Sequence, residues 1–491
     1  MGRRKRIAII GAGIGGLTAA TDLCDSAEKN GTRYKITVYD SRPIAGGKAY
    51  GYLSGRGRPV EHSLRVLLVY EQLFAYMRRI PCAAGRTAFD NLVPNKQYEA
   101  RHGKFSCGEA FEETSLSPCE RLGALVTALQ LFRFSCGDAQ LLLCEFAKYV
   151  ALPCYRRHLE TVSFEDALLT RLSAGGRDTI KAFAEILVAA RPETVAIAMY
   201  QVLFDVVGPG WPTPKGATRN MVLAGPTSDT FIEPWVAWLR SRGVRFELGC
   251  APVARTRSVD RHQTSGPPSF EVRRGRRKIR ADAYLFAVSL SSAHALFPDE
   301  VLPPSSEEEW SNGMQFYLSG RPACYPGAMR MGAVLDSPWR LVVAVQDSRT
   351  WPQAQLDPSV GCTVSATYSN DTAVGKLVKK TVRDCTRDEF AREMAEEAGI
   401  PWDLVLDYRV DDNLEWPETA TTGQQGPTQT MGIYVPTPAS FSLMNHGTTQ
   451  TRGTFLCGEF TAVKVVLPCM EKACQAAQLA SRHLVEYLRG Q

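Results

Sequence analysis

The residues best suited to chemistry stand near the two ends of the chain. Gly11-Ala12-Gly13-Ile14-Gly15-Gly16 follows an apolar run over residues 6–10 without a spacer. Glycine at 11 permits a tight turn, glycine at 13 lets backbone approach a pyrophosphate, and glycine at 16 lets a helix lie close on the preceding strand. A helix that starts at this turn aims its first N–H groups at phosphate charge. Asp40 lies beyond Gly16 at the spacing of a carboxylate that bonds ribose hydroxyls. Arg42, the pair Gly46-Gly47 and Lys48 come next. Paired glycines admit a second strip of backbone beside the pyrophosphate, and a cation there offsets its charge.

These residues need elements to hold them. Residues 6–10 read as a short buried strand, 17–24 carry helical apolar spacing, and 35–39 read as a second strand that ends at Asp40. A glycine pattern alone is weak, but strand, turn, helix, second strand and acid in register define a dinucleotide-binding unit. Arg3-Arg4-Lys5-Arg6 before an apolar run imitates a secretion signal. That reading gives the glycines no purpose and is set aside.

The segment from Asp40 through Gly46-Gly47 to Lys48 resembles the FAD-binding segment of the flavin amine oxidase and carotenoid desaturase superfamily, with Lys48 where Arg is usual. At the far end, Thr454-Phe455-Leu456-Cys457 runs into Gly458-Glu459, and Pro468-Cys469-Met470-Glu471-Lys472-Ala473 opens a helix towards Tyr487. This is similar to the C-terminal FAD motif of the same superfamily, most closely to plant-type phytoene and zeta-carotene desaturases and bacterial relatives including hydroxysqualene dehydroxylases. Lys472 stands where Gly is common. The resemblance implies FAD as cofactor, held by Gly11, Gly13, Gly15, Gly16, Asp40, Arg42, Gly46, Gly47 and Lys48. It places Gly458-Glu459 at the ribityl phosphate and the backbone at Met470 at the flavin pyrimidine edge, where a helix N-terminus stabilises the charge of reduced flavin. Residues 59–66, followed by an amphipathic stretch over 70–80, resemble the segment that passes the flavin. His62 within it is the expected catalytic residue, as hydrogen-bonding or acid/base group, with a structural histidine as the equal alternative. Residues 225–235 introduce a helix ending near Gly243, and a strand from 244 through Val253 is expected to bring backbone to the adenine. Residues 282–288 read as a buried returning strand.

The resemblance implies an α/β fold: a Rossmann-like FAD-binding domain, with a discontinuous α+β substrate domain inserted between its parts. The expected boundaries give the FAD-binding domain residues 1–70, 225–290 and 447–491. The substrate domain takes a largely helical part, 71–224, and a part with a sheet, 291–446. Within it, 122–134 and 139–151 read as helices packed on the domain, with membrane contact as the less favoured reading. Strands are expected over 314–318 and 341–345, and Thr386 with Glu389 forms a capping box for a helix that stops at Gly399. The basic run at 273–278 reads as a solvated hairpin turn, and Asn370-Asp371-Thr372 as a turn.

Composition narrows the function. The chain has 491 residues, 44% hydrophobic and 22% charged, with a net charge of +6. That balance supports more than one packed core, and the mild basic excess falls short of a nucleic-acid-binding signature. No two of the 14 cysteines form a C-x-x-C pair, which favours free thiols in a reducing compartment. Arg191, Pro192 and Glu193 interrupt the most apolar stretch, so the expected location is cytoplasmic, with peripheral membrane attachment left open. No G-x-S-x-G, H-E-x-x-H or clustered Cys/His set occurs, and no metal site is expected. The expected function is an FAD-dependent oxidoreductase of desaturase or dehydrogenase type acting on a lipophilic small molecule, with oxygen or quinone as acceptor. A flavin amine oxidase is the alternative enzyme. A flavin-free escort protein that binds prenylated partners, related to GDP-dissociation inhibitors, is the alternative of another class.

Overall fold

The computed structural model describes residues 4–61, 66–67, 70–95, 97–101, 104–107, 134–188, 190–200, 221–250, 252–256, 269–272, 277–417 and 426–490. Strand β1 (Lys5–Ile10) leads into helix α1 (Ile14–Lys29) and strand β2 (Tyr34–Asp40). A hairpin of β3 (Gly51–Leu53) and β4 (Pro59–Glu61) precedes the short helix α2 (Glu71–Met77). Then come β5 (Gln97–Arg101), β6 (Lys104–Cys107), α3 (Cys136–Ala151), α4 (Glu233–Ser241) and β7 (Arg245–Leu248). Strands β8 (Pro252–Thr256), β9 (Ser269–Val272) and β10 (Arg277–Ile279) form a small antiparallel sheet before β11 (Ala283–Ala287). The remainder supplies β12 (Gly313–Leu318), β13 (Met331–Val334), β14 (Val342–Gln346), β15 (Cys362–Thr367), α5 (Arg387–Ala398), β16 (Val405–Val410), β17 (Thr454–Cys457) and α6 (Met470–Arg489).

The cofactor unit is built on a five-stranded parallel sheet in the order β17-β11-β1-β2-β7. Its β1, β11 and β17 strands are apolar on both faces, as strands of a parallel sheet covered on both sides require, while the edge strand β7 carries the exposed Arg245 and Glu247. Ile7, Ile9 and Leu285 join one core with Leu17, Ala20 and Leu23 of α1, while Ala8, Ile10, Tyr284 and Phe286 join a second core on the other face. Helix α6 lies on α1 through Ala476, Ala477 and Ala480, small residues that let the two helix backbones come close. Leu73, Phe74 and Met77 of α2 sit in this same core, which therefore reaches past residue 70. Its apolar i, i+3, i+4 spacing has nowhere else to be buried.

The second unit is a seven-stranded sheet in the order β16-β12-β15-β14-β13-β5-β6, antiparallel apart from the β13–β5 pair. Met314, Phe316, Val343, Val345 and Val364 on one face pack with Phe390, Ala391 and Met394 of α5. That helix starts at the Thr386–Glu389 capping box and ends at Gly399, which adopts a φ of +70°. Asn370 Oδ1 accepts from the Thr372 and Ala373 N–H groups, closing the expected turn. Residues 273–276 of the basic run and 122–133 of the first expected helix lie outside the described residues. Among the described residues, no helix is long and apolar enough to cross a membrane.

Candidate cofactor cradle

The turn after β1 is shaped by what glycine lacks. Gly11 has a φ of +104° and donates its N–H to the Tyr39 carbonyl at 2.7 Å. A Cβ on Gly11 would lie 2.1 Å from the Ala287 oxygen, and one on Gly16 would lie 1.9 Å from the Gly11 oxygen. Both positions are closed to any other residue. At Gly13 and Gly15 the nearest protein atoms to a built Cβ are 3.6 Å away, an ordinary contact, so protein packing does not demand glycine at either. Gly13 is the N-cap of α1, no side chain caps the helix, and its first turn contains no acid. The start of α1 is therefore bare backbone with the polarity that attracts an anion.

A second strip of backbone completes the cradle. The Gly46 N–H donates to the Ala12 carbonyl at 2.8 Å, and Gly46 and Gly47 have φ values of +120° and +58°. Arg42 donates from Nη1 to the Gly47 carbonyl at 3.3 Å and from Nη2 to Asn413 at 3.1 Å, with its guanidinium over the Tyr50 ring. Lys48 Nζ lies 2.8 Å from both carboxylate oxygens of Glu459 and 2.5 Å from the Gly432 carbonyl. The two glycine turns, a guanidinium and an ammonium thus converge beside the α1 N-terminus, an arrangement that fits a pyrophosphate.

Asp40 ends β2 and faces back into the turn. Its oxygens accept the Ala12 N–H at 2.6 Å and the Arg42 N–H at 2.9 Å. Burial raises its pKa, and those two N–H groups oppose the rise. Each oxygen keeps a lone pair for a ribose hydroxyl, so the carboxylate fixes both turns as well as facing the site. Val253 departs from its expected strand. Gly249, with a φ of +72°, follows the last residue of β7 and stands three positions before β8 begins, and Val253 lies on β8 of the small antiparallel sheet instead. His62 lies outside the described residues.

The C-terminal residues close the other side. Gly458 follows β17 and is sterically required, since a Cβ there would lie 2.7 Å from the Val288 oxygen. Glu459 accepts the Tyr434 N–H at 3.0 Å besides its pair with Lys48. Met470 opens α6 next to the N-cap Cys469. The helix start abuts the first turn of α1, where a Cβ on Gly15 would approach the Ala473 oxygen to 3.7 Å. Two helix N-termini therefore face one region.

Three side chains here act in ways the sequence did not disclose. Glu471 turns away from the cradle and accepts the Gln72 and Leu73 N–H groups at 3.0 and 2.9 Å, capping α2. Lys472 is fully buried and donates to the Val466 carbonyl at 2.9 Å; burial pulls its ammonium down to about 8, and Glu459 opposes that fall. Glu61, buried at the end of β4, accepts the Thr227 N–H at 2.9 Å and its hydroxyl at 3.1 Å. Glu61 directly precedes His62, yet no spacing distinguishes it from an ordinary strand acid.

This geometry defines a Rossmann-type dinucleotide-binding fold with an inserted second sheet. A family model described as an NAD(P)-binding Rossmann-like domain matches residues 9–80. A probable zeta-carotene desaturase of Synechococcus elongatus is 26% identical over 313 residues, covering 60% of this chain and 60% of that protein. A zeta-carotene desaturase of Arabidopsis thaliana is 22% identical over 312 residues, covering 61% of this chain and 53% of its own length. The chain thus matches between half and two thirds of the length of these relatives. Among solved structures, cyclohexylamine oxidase from Brevibacterium oxydans superposes with a TM-score of 0.57 at 14% identity, covering 99% of this chain and 100% of that one. In fold and fingerprint the chain is thus similar to flavin amine oxidases and carotenoid desaturases.

Proposed function

We propose that the protein is an FAD-dependent oxidoreductase of desaturase or dehydrogenase type that oxidises a lipophilic small molecule of isoprenoid character. The observation that carries this reading is the cradle itself: Gly13 and Gly15 are glycine where protein packing does not ask for it, beside an uncapped helix start and the cations Arg42 and Lys48. Space kept free of side chains beside bare N–H groups is what a bound pyrophosphate requires, and an escort protein without flavin has no use for it. When bound, FAD supplies a hydride acceptor at its N5. The chain's own residues do the rest. The α1 turn and the Gly46-Gly47 strip hold the diphosphate, Asp40 faces the ribose, and the start of α6 presents N–H groups to the pyrimidine edge. Electron transfer onward to oxygen or to a quinone belongs to this reading.

The substrate class rests on the similarity to zeta-carotene desaturases. The shared fold with cyclohexylamine oxidase favours amine oxidation as the second reading. Against it, Cys469 stands just ahead of Met470, where an aromatic would form half of an amine cage. The deciding experiment is an absorbance spectrum of the purified chain loaded with FAD, titrated anaerobically with polyenes, prenyl alcohols and amines. Bleaching of the flavin band by a prenyl compound is expected. Bleaching by amines alone would replace the reading with amine oxidation, and failure to hold flavin would overturn it.

A further inference from the structure

The face of the seven-stranded sheet turned towards the cofactor unit is polar. Side chains alternate along a strand, so the face opposite the α5 core carries Gln315, Tyr317, Thr363, Ser365 and Gln346, all buried. Two of them dock the cofactor unit. The Tyr317 hydroxyl donates to the Pro59 carbonyl at 2.9 Å, and the Gln315 amide donates to the Glu61 carbonyl. Gln346 is different. It is 4% exposed, and its Oε1 accepts the Ser365 hydroxyl at 3.0 Å. Among the described residues its Nε2 donates to no acceptor.

Gln346 lines a cavity of about 60 Å³ between the two units, with Ala344 and Trp351 on the sheet side and Glu61, Gly225 and Thr227 on the cofactor side. The Glu61 carboxylate there is already engaged by Thr227. Arg330 lines the same cavity, donates from Nη1 to the Thr350 carbonyl at 2.6 Å and forms no ion pair among the described residues. The free hydrogen-bonding capacity of this wall is therefore donor capacity. The Gln346 N–H groups open onto the cavity, and a partner that arrives with an acceptor oxygen satisfies them where a purely apolar one would leave them buried and unpaired.

We propose that this cavity receives the oxygen-bearing end of the substrate and that Gln346 is the residue that recognises it. The substrate is then an oxygenated prenyl compound, with a carbonyl or carboxylate oxygen, rather than a hydrocarbon polyene. A hydrocarbon entering here would leave the amide buried and unpaired, the situation by which a hydrogen-bonding site rejects an analogue that lacks the group. This rests on the oxidoreductase reading above, of which it narrows the substrate.

The test compares two ligands of similar length, farnesylacetone as a prenyl ketone and farnesene as a prenyl hydrocarbon. Binding to the FAD-loaded and the FAD-free chain is followed by tryptophan fluorescence, Trp351 being part of the wall. The ketone is expected to bind at least about tenfold more tightly. Gln346→Leu and the isosteric Gln346→Glu are both expected to bring that ratio to about one, because neither offers the N–H donors. Equal binding of the two ligands to the native chain, survival of the ratio in both variants, or no binding of either ligand overturns the proposal. Failure of the chain to take up FAD overturns the oxidoreductase reading instead, and the fluorescence ratio is read independently of it.

Discussion

Lys48 and Glu459 are 411 residues apart in sequence and meet across the cradle, the ammonium 2.8 Å from each carboxylate oxygen. The pair ties the Gly46-Gly47 strip to the turn after β17, so both lips of the cofactor site are fixed by one contact. Half-exposed ion pairs contribute little to stability, and the effect of breaking this one lies in positioning. Lys48→Met is expected to weaken FAD binding by about 10- to 100-fold while shifting thermal stability of the FAD-free chain by less than about 1 kcal/mol. Recovery of flavin fluorescence on dilution measures the first, and a melting curve the second.

Two glycines of one turn should part company when replaced. Gly13 has a φ of −76° and room for a methyl group, so Gly13→Ala is expected to fold with a melting temperature near that of the native chain and to lose FAD. Gly16→Ala places a methyl 1.9 Å from the Gly11 oxygen and is expected to lose at least about 2 kcal/mol in chemical denaturation without any cofactor present. Equal destabilisation of the two would remove the distinction between a ligand-facing and a packing glycine.

Glu397 in α5 is buried beside Glu393, accepts from the Ser337 hydroxyl and the Trp339 N–H, and keeps one oxygen without a partner. Burial, reinforced by Glu393, lifts its pKa well above the ordinary carboxylate range, against the Ser337 and Trp339 bonds. The folded chain thus holds a proton that the unfolded chain releases. Stability from this group is full below the ordinary carboxylate pKa and is lost as pH rises through the raised folded value. Glu397→Gln is expected to flatten that slope and to raise stability at alkaline pH, as read from urea unfolding at a series of pH values.

Lys472 titrates in the opposite sense. Its folded pKa of about 8 lies below the ordinary 10.5, so the unfolded chain binds more protons between those values and stability rises over that range. Lys472→Met is expected to stabilise the FAD-free chain at pH 7 by about 1–3 kcal/mol and to abolish the rise above pH 8. A variant less stable than the native chain at pH 7 would show that the Val466 contact outweighs the buried charge.

What the sequence disclosed follows from how local each feature is. Gly11 and Gly16 were legible because a turn too tight for a Cβ writes itself into consecutive positions. Thr386 and Gly399 were legible because caps are set by neighbours a few residues away. The Lys48–Glu459 pair, the α2 cap made by Glu471 and the docking of Gln315 on Glu61 are long-range, and no spacing rule couples such residues. The expected strand through Val253 failed for a local reason: Gly249 in a left-handed conformation breaks it, which reading the segment as one strand overlooked. The second sheet was legible as isolated strands, but its polar face emerges only when β12, β14 and β15 are laid side by side.

The order of strands in the parallel sheet also sets a timetable. β17, which pairs with β11, and α6, which covers α1, are made more than 400 residues after β1 and α1. Until synthesis reaches them, β11 presents an open edge and α1 an uncovered apolar stripe, the features that invite association with other nascent chains. The cofactor site acquires its second lip at the same late moment. The cradle can therefore close only after the whole intervening second sheet has been made.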